Sequence, residues 1–298
     1  MYNSNNEFFM SPKNDYVFKK IFGDENNKDI LSSFLSCVIN EQINDVSILN
    51  NEITKENTAD KKSILDIRAT INDGVQIDIE IQLSRTIYMP ARSLYYWSKI
   101  YMEQLQIGQI YKKLNRTICI NILDFISTES KKYHSVYRLK ETEENFELTN
   151  LMEIHFIEIP KLKGYEKNDV LSQWINFINA DSREELKKMA IVNKNIDKAF
   201  DILNVMSQNK EERAAYLSRE MALHDEVTKL EEALQEGRQE GRQEGRQEGL
   251  DEGRQEGLEE GEKKKALEIA KNLLDILDNE TIAIKTGLTL DEIENLRK

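Results

Sequence analysis

Strict alternation of apolar and polar residues between residues 75 and 84 is the feature that most limits what this chain can fold into. The sequence VQIDIEIQLS has an aliphatic residue at every odd position and a polar residue at every even position. Successive side chains of a β-strand point to opposite faces, so the pattern predicts a strand with one apolar and one polar face. The segment LDIRATI at 65–71 precedes it, and Asn72-Asp73-Gly74 lies between the two. Together they predict a β-hairpin.

The loop of this hairpin determines which residues face each other. A three-residue loop with Gly74 in the left-handed conformation pairs apolar with apolar residues throughout, whereas a two-residue Asp-Gly turn pairs every aliphatic residue with a polar one. We therefore choose the first register. Its apolar pairs are Ile71 with Val75, Ala69 with Ile77, Ile67 with Ile79 and Leu65 with Ile81. Its polar pairs are Arg68 with Asp78 and Asp66 with Glu80.

Asp66 and Glu80 are the hairpin residues that point most clearly to chemistry. Facing carboxylates whose Cβ atoms are about 4.5–5.5 Å apart repel each other unless a cation lies between them. Hard oxygen ligands at that spacing suit Mg²⁺ or Mn²⁺. Gln82 follows on the same face, where it is placed to position a water or a phosphate oxygen. A structural interpretation is also open, in which this face is solvated and Arg68 neutralises Asp66 and Asp78.

The rest of the first 206 residues alternates between helical and strand patterns. The predicted helices are 15–22, 28–39, 89–114, 169–179 and 182–206, and the predicted strands beside the hairpin are 116–125, 136–139 and 154–159. Asn14 is a candidate cap for the first helix. Strands interleaved with helices predict an α/β or α+β fold, a mixed sheet flanked by helices with a helical C-terminal extension.

Composition narrows the class of protein further. The chain has 298 residues, of which 39% are hydrophobic and 32% charged, without the uncharged apolar run that a membrane-spanning helix needs. Met1–Asn6 lacks the features of a signal peptide. Cys37 and Cys119 lie far apart in apolar segments, and the histidines are scattered, so neither a disulfide nor a zinc site is expected. We expect a cytoplasmic protein that does not associate with membranes.

The net charge of −13 is concentrated in the last third of the chain. Residues 51–200 contain 22 basic and 22 acidic residues, whereas residues 201–298 carry a net charge of −10. A neutral body is compatible with DNA as a partner. The acidic segment also allows a regulatory interpretation, in which residues 201–298 act as an intramolecular brake on DNA binding.

The charge and repeat patterns divide the chain into four expected regions. They are a mixed-sheet domain at 1–165, a helical region at 166–232, a Gly-Arg-Gln-Glu repeat at 233–262 and a small helical segment at 263–298. Each glycine of the repeat costs a helix about 0.5–1 kcal/mol relative to Ala. Arg and Glu lie two positions apart, on opposite sides of a helix. The repeat is therefore either a solvated spacer or a helix that pairs with a second chain.

Near the C-terminus, three residues have the spacing of a helix-turn-helix motif. Ala283, Gly287 and Ile293 match its small residue, turn glycine and packing aliphatic residue. Only Lys285, Arg297 and Lys298 are basic after residue 271. A helical hairpin for protein contacts is therefore at least as good an interpretation as a DNA reader.

Four short segments together resemble a known family. They are NDYVFKKIFG at 14–23, LDIRA at 65–69, IDIEIQ at 77–82 and RSLYYWSKIY at 92–101. In this order they resemble the PD-(D/E)XK nuclease family transposases over roughly residues 10–130. The Gly-Arg-Gln-Glu repeat and the TGLTLDEI ending resemble the tails of the same family.

This resemblance implies a restriction-endonuclease-like domain at 1–165 and a metal-dependent DNA endonuclease associated with recombination or mobile elements. It further implies Mg²⁺ or Mn²⁺ as cofactor, no organic cofactor, DNA as partner and a homodimer. The residues that match catalytic positions are Asp66, Glu80, Gln82 and Asp15. The expected metal ligands are Asp66, Glu80 and the backbone carbonyl of Ile81.

Gln82 departs from the wider nuclease pattern, because many nucleases of this fold have Lys at this position and Gln supplies no positive charge. Lys19, Arg92 and Lys99 are the candidates to supply it, and with Tyr96 they form the expected DNA-binding set. Packing of the tyrosines, an ion pair for Arg92 and a helix-dipole role for Asp15 are the structural alternatives. The alternative function is a catalytically lapsed nuclease fold that binds DNA or protein and assembles through its helical tail.

Overall fold

A six-stranded mixed sheet lies at the centre of the first part of the chain. The computed structural model describes residues 8–50, 65–164, 169–191 and 193–297. Met1–Asn6, the segment that lacks the features of a signal peptide, lies outside the described residues. The strands are β1 Val46–Leu49, β2 Ile67–Ile71, β3 Val75–Gln82, β4 Thr117–Leu123, β5 His134–Tyr137 and β6 Met152–Glu158. Their order is β1-β2-β3-β4-β6-β5. Strands β3, β4 and β6 run parallel, and the other neighbouring pairs are antiparallel. The α/β class expected from the sequence is confirmed.

The hairpin of β2 and β3 has the register that the apolar pairs predict. Ile67 faces Ile79, Ala69 faces Ile77 and Ile71 faces Val75, and on the polar face Arg68 faces Asp78. Gly74 has φ +94°, the left-handed backbone that the three-residue loop requires. The predicted partners at residues 65 and 66 lie just outside the paired region, because β2 begins at Ile67.

The first seven α-helices of the described residues surround the sheet or follow it in the chain. They are α1 Asp15–Phe22, α2 Lys28–Ile39, α3 Met89–Glu103, α4 Val170–Ile178, α5 Arg183–Ala190, α6 Lys194–Gln208 and α7 Lys210–Leu273. The first two have the bounds that the apolar spacing predicts. Asn14 caps α1, since its side chain accepts a hydrogen bond from the backbone N–H of Tyr16 at 3.0 Å.

Two of the predicted helices differ from the observed ones. The helix predicted at 89–114 ends at Glu103, because the Gln104 side chain turns away to bond the backbone of Asn115 at 2.7 Å and Gly108 adopts φ +86°. The single helix predicted at 182–206 is two helices. Asn193 begins the second of them, with its side chain accepting from the N–H groups of the first turn.

Apolar side chains pack on both faces of the sheet. On one face the odd residues of β3 and the even residues of β4 contact α1, α2, α4 and α6 around the fully buried Trp174. On the other face a smaller cluster, including Cys119 and Ile154, packs against α3. The sheet is therefore covered on both sides, and the polar face of β3 lies beneath α3.

The chain divides into two compact units, Met1–Asp225 and Glu226–Lys298. The second contains the Gly-Arg-Gln-Glu repeat as helix within α7, followed by α8 Asn279–Thr286 and α9 Leu290–Arg297. Gly287 ends α8 with φ +74°, and Ile282 and Ile293 are buried in a small core. The helix-turn-helix spacing thus corresponds to a real helical hairpin. The helical geometry of the repeat is compatible both with a solvated spacer and with a helix that pairs with a second chain.

Across the described residues no helix combines the length and apolar character needed to span a membrane.

Candidate active site

Asp66 and Glu80 meet at the open end of the hairpin, where β2 begins and β3 ends. The backbone N–H of Asp66 donates to Glu80 Oε1 at 3.1 Å, and Asp66 Oδ2 accepts from the backbone N–H of Ile81 at 2.9 Å. Only 14% and 4% of their respective side chains are exposed. The two hydrogen bonds hold the carboxylates beside each other at the edge of the sheet.

The backbone carbonyl of Ile81 lies on the same side of β3. In a parallel pair, alternate residues direct their backbone groups to one neighbouring strand, and Gln82 directs its carbonyl to β4, where it accepts from Asp124 at 3.1 Å. Ile81 therefore directs its carbonyl away from β4, to the side that carries Asp66. Two carboxylates and one carbonyl are thus available there as oxygen donors.

Arg92 connects Glu80 with Gln82. It lies in the first turn of α3, where Nη2 is 3.2 Å from Glu80 Oε2 and Nη1 donates to Gln82 Oε1 at 3.2 Å. The guanidinium also lies 5.3 Å from the centroid of the Tyr96 ring, a cation–π contact. A fixed positive charge therefore stands beside the acidic residue and the amide of the hairpin.

Lys19 brings a second positive charge to the site from α1. Its Nζ is 2.8 Å from Asp66 Oδ1. Each of the two carboxylates is therefore paired with one cation, Lys19 with Asp66 and Arg92 with Glu80. Lys19 comes from a helix far from Asp66 in the sequence, whereas Arg92 comes from the helix that follows the hairpin.

Asp15 lies one turn before Lys19 on α1 and is held by α7. Its carboxylate accepts from the Tyr16 N–H at 2.9 Å and from Arg219 Nε at 2.7 Å. Glu212 binds α1 as well, through Tyr16 Oη at 2.6 Å. The contacts of Asp15 are thus to its own helix and to the start of α7, while Lys19 contacts Asp66.

Burial makes the carboxylates of β3 difficult to ionise. It raises the pKa of Glu80 well above its usual range, and the neighbouring Asp78 and Asp66 raise it further against the opposing effect of Arg92. Burial is also the main cause that raises the pKa of Asp78 to about 7. Within the described part of the chain, Asp78 Oδ1 has no hydrogen-bond partner. The site therefore contains more buried acidic groups than its own donors satisfy.

Arg68 is not the group that neutralises this cluster directly. Its Nη1 is 2.8 Å from Glu103 Oε2 at the end of α3. It still lowers the pKa of Asp78 at longer range. Direct pairing with Asp66 and Glu80 comes instead from Lys19 and Arg92, and the ion pair of Arg92 was among the structural alternatives of the sequence analysis.

Lys99 occupies a separate position on α3. Its Nζ lies 5.1 Å from the centroid of the Tyr95 ring, and Tyr95 is exposed. Tyr96 is half-buried and packs against the core cluster under α3. The structure thus brings Arg92 and Tyr96 to Glu80, while Lys99 lies two turns further along the helix, beside Tyr95.

Sequence reasoning did not single out Asp78 as part of the site. The signal was present, because Asp78 shares the polar face of β3 with Glu80, but the register paired it with Arg68 and so accounted for its charge. The support of α1 by Arg219 and Glu212 carried no sequence signal, since these residues are separated from α1 by about 200 positions.

Comparison of the sequence with known protein families identifies a match. A family model described as PD-(D/E)XK nuclease family transposase matches residues 12–233. The chain belongs to this family. The match covers the sheet, the hairpin with Asp66 and Glu80, and the first turns of α7. No curated protein and no solved structure matched the chain.

PD-(D/E)XK nucleases generally use a divalent metal ion, and the oxygen donors at Asp66 and Glu80 fit such an ion. The buried Asp78 Oδ1, which has no hydrogen-bond partner among the described residues, and the raised pKa of Glu80 show that acidic groups are incompletely compensated here, and a bound cation would compensate them. Among residues 8–50, 65–164, 169–191 and 193–297, no group of three His, Cys, Asp or Glu side chains is arranged to hold a metal.

Proposed function

We propose that this protein is a Mg²⁺- or Mn²⁺-dependent DNA endonuclease that hydrolyses phosphodiester bonds. The observation that carries the proposal is the convergence of Asp66 and Glu80 at the end of the hairpin with the Arg92 guanidinium beside both Glu80 and Gln82. Carboxylates to hold a cation and a separate fixed cation for the phosphate are the two requirements of metal-assisted phosphodiester hydrolysis.

In this proposal Asp66, Glu80 and the carbonyl of Ile81 would hold the metal ion. When bound, Mg²⁺ or Mn²⁺ supplies Lewis-acid polarisation of the scissile phosphate and lowers the pKa of a bound water. Arg92 binds a non-bridging phosphate oxygen and stabilises the charge that develops on it. Gln82, held by Arg92, orients the attacking water through its amide.

Arg92 takes the part that a motif lysine has in many nucleases of this fold. Gln82 stands at the lysine position and is neutral, but its amide oxygen is 3.2 Å from Arg92 Nη1. The positive charge is therefore supplied next to the motif position by the following helix. Lys19 provides a further charge at Asp66.

Plasmid nicking tests the proposed activity directly. The purified protein is expected to convert supercoiled plasmid to nicked and linear forms in Mg²⁺ or Mn²⁺. In EDTA the plasmid is expected to stay intact, because the chelator removes the metal ion that Asp66 and Glu80 would hold. Agarose gel electrophoresis of the products measures this. The activity would be rejected if a folded protein, assayed with and without residues 226–298, cut no plasmid in either metal.

A second candidate function follows from the ion pairs of the site. Lys19 and Arg92 already neutralise Asp66 and Glu80, and the motif lysine is replaced by Gln82. These features are also compatible with a lapsed nuclease fold that binds DNA or protein without cutting.

Calorimetry with Mn²⁺ separates the two candidates. We expect the wild-type protein to bind Mn²⁺ at sub-millimolar to millimolar concentration, and we expect Asp66→Asn to lose the binding heat because one of two carboxylate ligands becomes a neutral amide. Asp73→Asn, in the exposed turn of the same hairpin, is the matched control. No heat from the wild-type protein at millimolar Mn²⁺ would support the lapsed fold.

A further inference from the structure

A cluster of lysines surrounds a cavity away from the carboxylates. The cavity has a volume of about 460 Å³ and lies between the segment that enters β5 and the segment that leaves β6. Its walls include Lys131, Lys132, Tyr133, His134, Lys161 and Lys163. Within the described part of the chain, the side chains of Lys131, Lys132 and Lys163 form no ion pair. Several uncompensated positive charges around a concave surface favour an anionic ligand.

The two chain segments that line this lysine cavity are anchored to each other. Glu158, at the end of β6, is fully buried and accepts hydrogen bonds from the backbone N–H groups of Ser127 at 2.6 Å and Thr128 at 2.9 Å. Lys161 Nζ pairs with the same carboxylate at 2.5 Å and donates to the Thr128 carbonyl at 2.9 Å. Both chain segments that carry the lysines are therefore anchored to one buried group.

A chain of hydrogen bonds orients His134 in the cavity wall. His134 Nε2 is 2.8 Å from His155 Nδ1, and His155 Nε2 is 2.6 Å from Glu153 Oε1. Arg116 and Arg138 bind the other oxygen of Glu153 and help keep this carboxylate ionised. Because an ionised carboxylate only accepts, His155 Nε2 carries a proton, and the contact between His134 Nε2 and His155 Nδ1 joins the two rings by a hydrogen bond. The ring of His134 is thus fixed at the cavity.

The lysine cavity lies on the same edge of the sheet as the proposed active site. Gln82, Leu123 and Glu158 are register partners at the carboxyl ends of β3, β4 and β6. Neighbouring strands are about 4.8 Å apart, so the segments that line the cavity, at the ends of β6 and β5, lie about 10 and 14 Å along the sheet from β3. Phosphates of one DNA strand advance about 3.4 Å along the helix axis, and these distances correspond to about three or four of them.

We propose that the lysine cavity binds backbone phosphates of the DNA next to the cleavage site. The inference rests on the proposed function for its choice of ligand, since DNA is the polyanion that would span both places. Lys131, Lys132 and Lys163 contact phosphate oxygens, and the anchored Lys161 and His134 shape the cavity. Such contacts position a duplex and carry no base specificity.

The test compares two pairs of adjacent lysines. Lys131→Gln/Lys132→Gln alters the cavity, whereas Lys112→Gln/Lys113→Gln removes the same charge from the exposed segment before β4, at the opposite edge of the sheet. Binding of a short fluorescein-labelled duplex is measured by anisotropy in EDTA over a range of salt concentrations. The cavity variant is expected to bind about tenfold more weakly, with a salt slope shallower by about 1–2, since each lost phosphate contact removes about one unit. Equal binding of both double variants would overturn the proposal.

Plasmid cleavage and the NMR signals of the histidine rings distinguish the remaining outcomes. If the cavity variant alone loses DNA affinity while the wild-type protein cuts no plasmid, the cavity proposal stands and the endonuclease proposal fails. The chain has only three histidines, so His134→Gln identifies the His134 ring signal in NMR spectra. That signal is expected to shift with duplex DNA. A shift with inorganic phosphate together with unchanged DNA binding by the cavity variant would assign the cavity to a free phosphate and overturn the DNA ligand.

Discussion

Glu80→Gln and Asp66→Asn are each expected to reduce metal-dependent plasmid nicking by at least about 10³-fold, equivalent to about 4 kcal/mol of transition-state stabilisation. Each substitution keeps the size of the side chain and replaces an anionic oxygen ligand with a neutral amide. The two carboxylates act as one unit around one cation, so the double variant is expected to lose no more activity than either single variant. The measurement is the initial rate of nicking in Mg²⁺ and in Mn²⁺.

The stability of Glu80→Gln provides the control for folding. Because burial raises the pKa of Glu80, its favourable contribution to stability is present at low pH and is lost as the pH rises through that raised pKa. A neutral amide avoids this loss, and the melting temperature at pH 8 is expected to equal or exceed that of the wild-type protein. Asp73→Asn is expected to retain full activity. Activity within threefold of wild type in Glu80→Gln would remove this residue from the mechanism.

Arg92→Met is expected to lower kcat/KM for nicking by about 10²-fold, equivalent to about 2.7 kcal/mol. The guanidinium contacts both Glu80 and Gln82, so its loss removes the positive charge nearest to the motif amide. Arg92→Lys keeps the charge without the two-pronged geometry, and we expect an intermediate loss of about tenfold.

A second substitution tests whether Arg92 replaces the motif lysine. Gln82→Lys, introduced into Arg92→Met, returns a positive charge to the motif position and is expected to restore at least tenfold of the lost activity. Such a rescue would not occur if Arg92 acted only by packing on Tyr96. Nicking rates of the two single variants and the double variant measure the coupling. Absence of any loss in Arg92→Met would contradict the assignment.

Much of the fold could be predicted from local patterns. The alternation of residues 65–83 was sufficient for the hairpin and its register, because a one-residue slip would pair every aliphatic residue with a polar one. The first two helices and β4 followed from apolar spacing. Strand β1, Val46–Leu49, was not predicted, since four residues are too few for a clear period. The end of α3 depends on Gln104 and Gly108, whose effect appears only in the folded loop.

The candidate site, like the fold, could be predicted only in part from the sequence. The neighbourhood of Asp66 and Glu80 could be read from the sequence, because both lie on one hairpin whose geometry is local. The partners of these carboxylates could not be assigned, since Lys19 and Arg92 come from separate helices and Lys99 and Arg68 were candidates as well. The burial of Asp78 likewise required the position of α3 over the sheet.

The sequence by itself determined the hairpin, its acidic pair and the family to which the chain belongs, because backbone hydrogen bonding and alternating burial act over a few residues. Only the tertiary structure decided that Lys19 and Arg92 pair with Asp66 and Glu80, that α7 holds Asp15, and that lysines from two loops surround one cavity. These contacts depend on how helices and strands far apart in the chain pack together, and charge alone does not specify which of many possible partners meet.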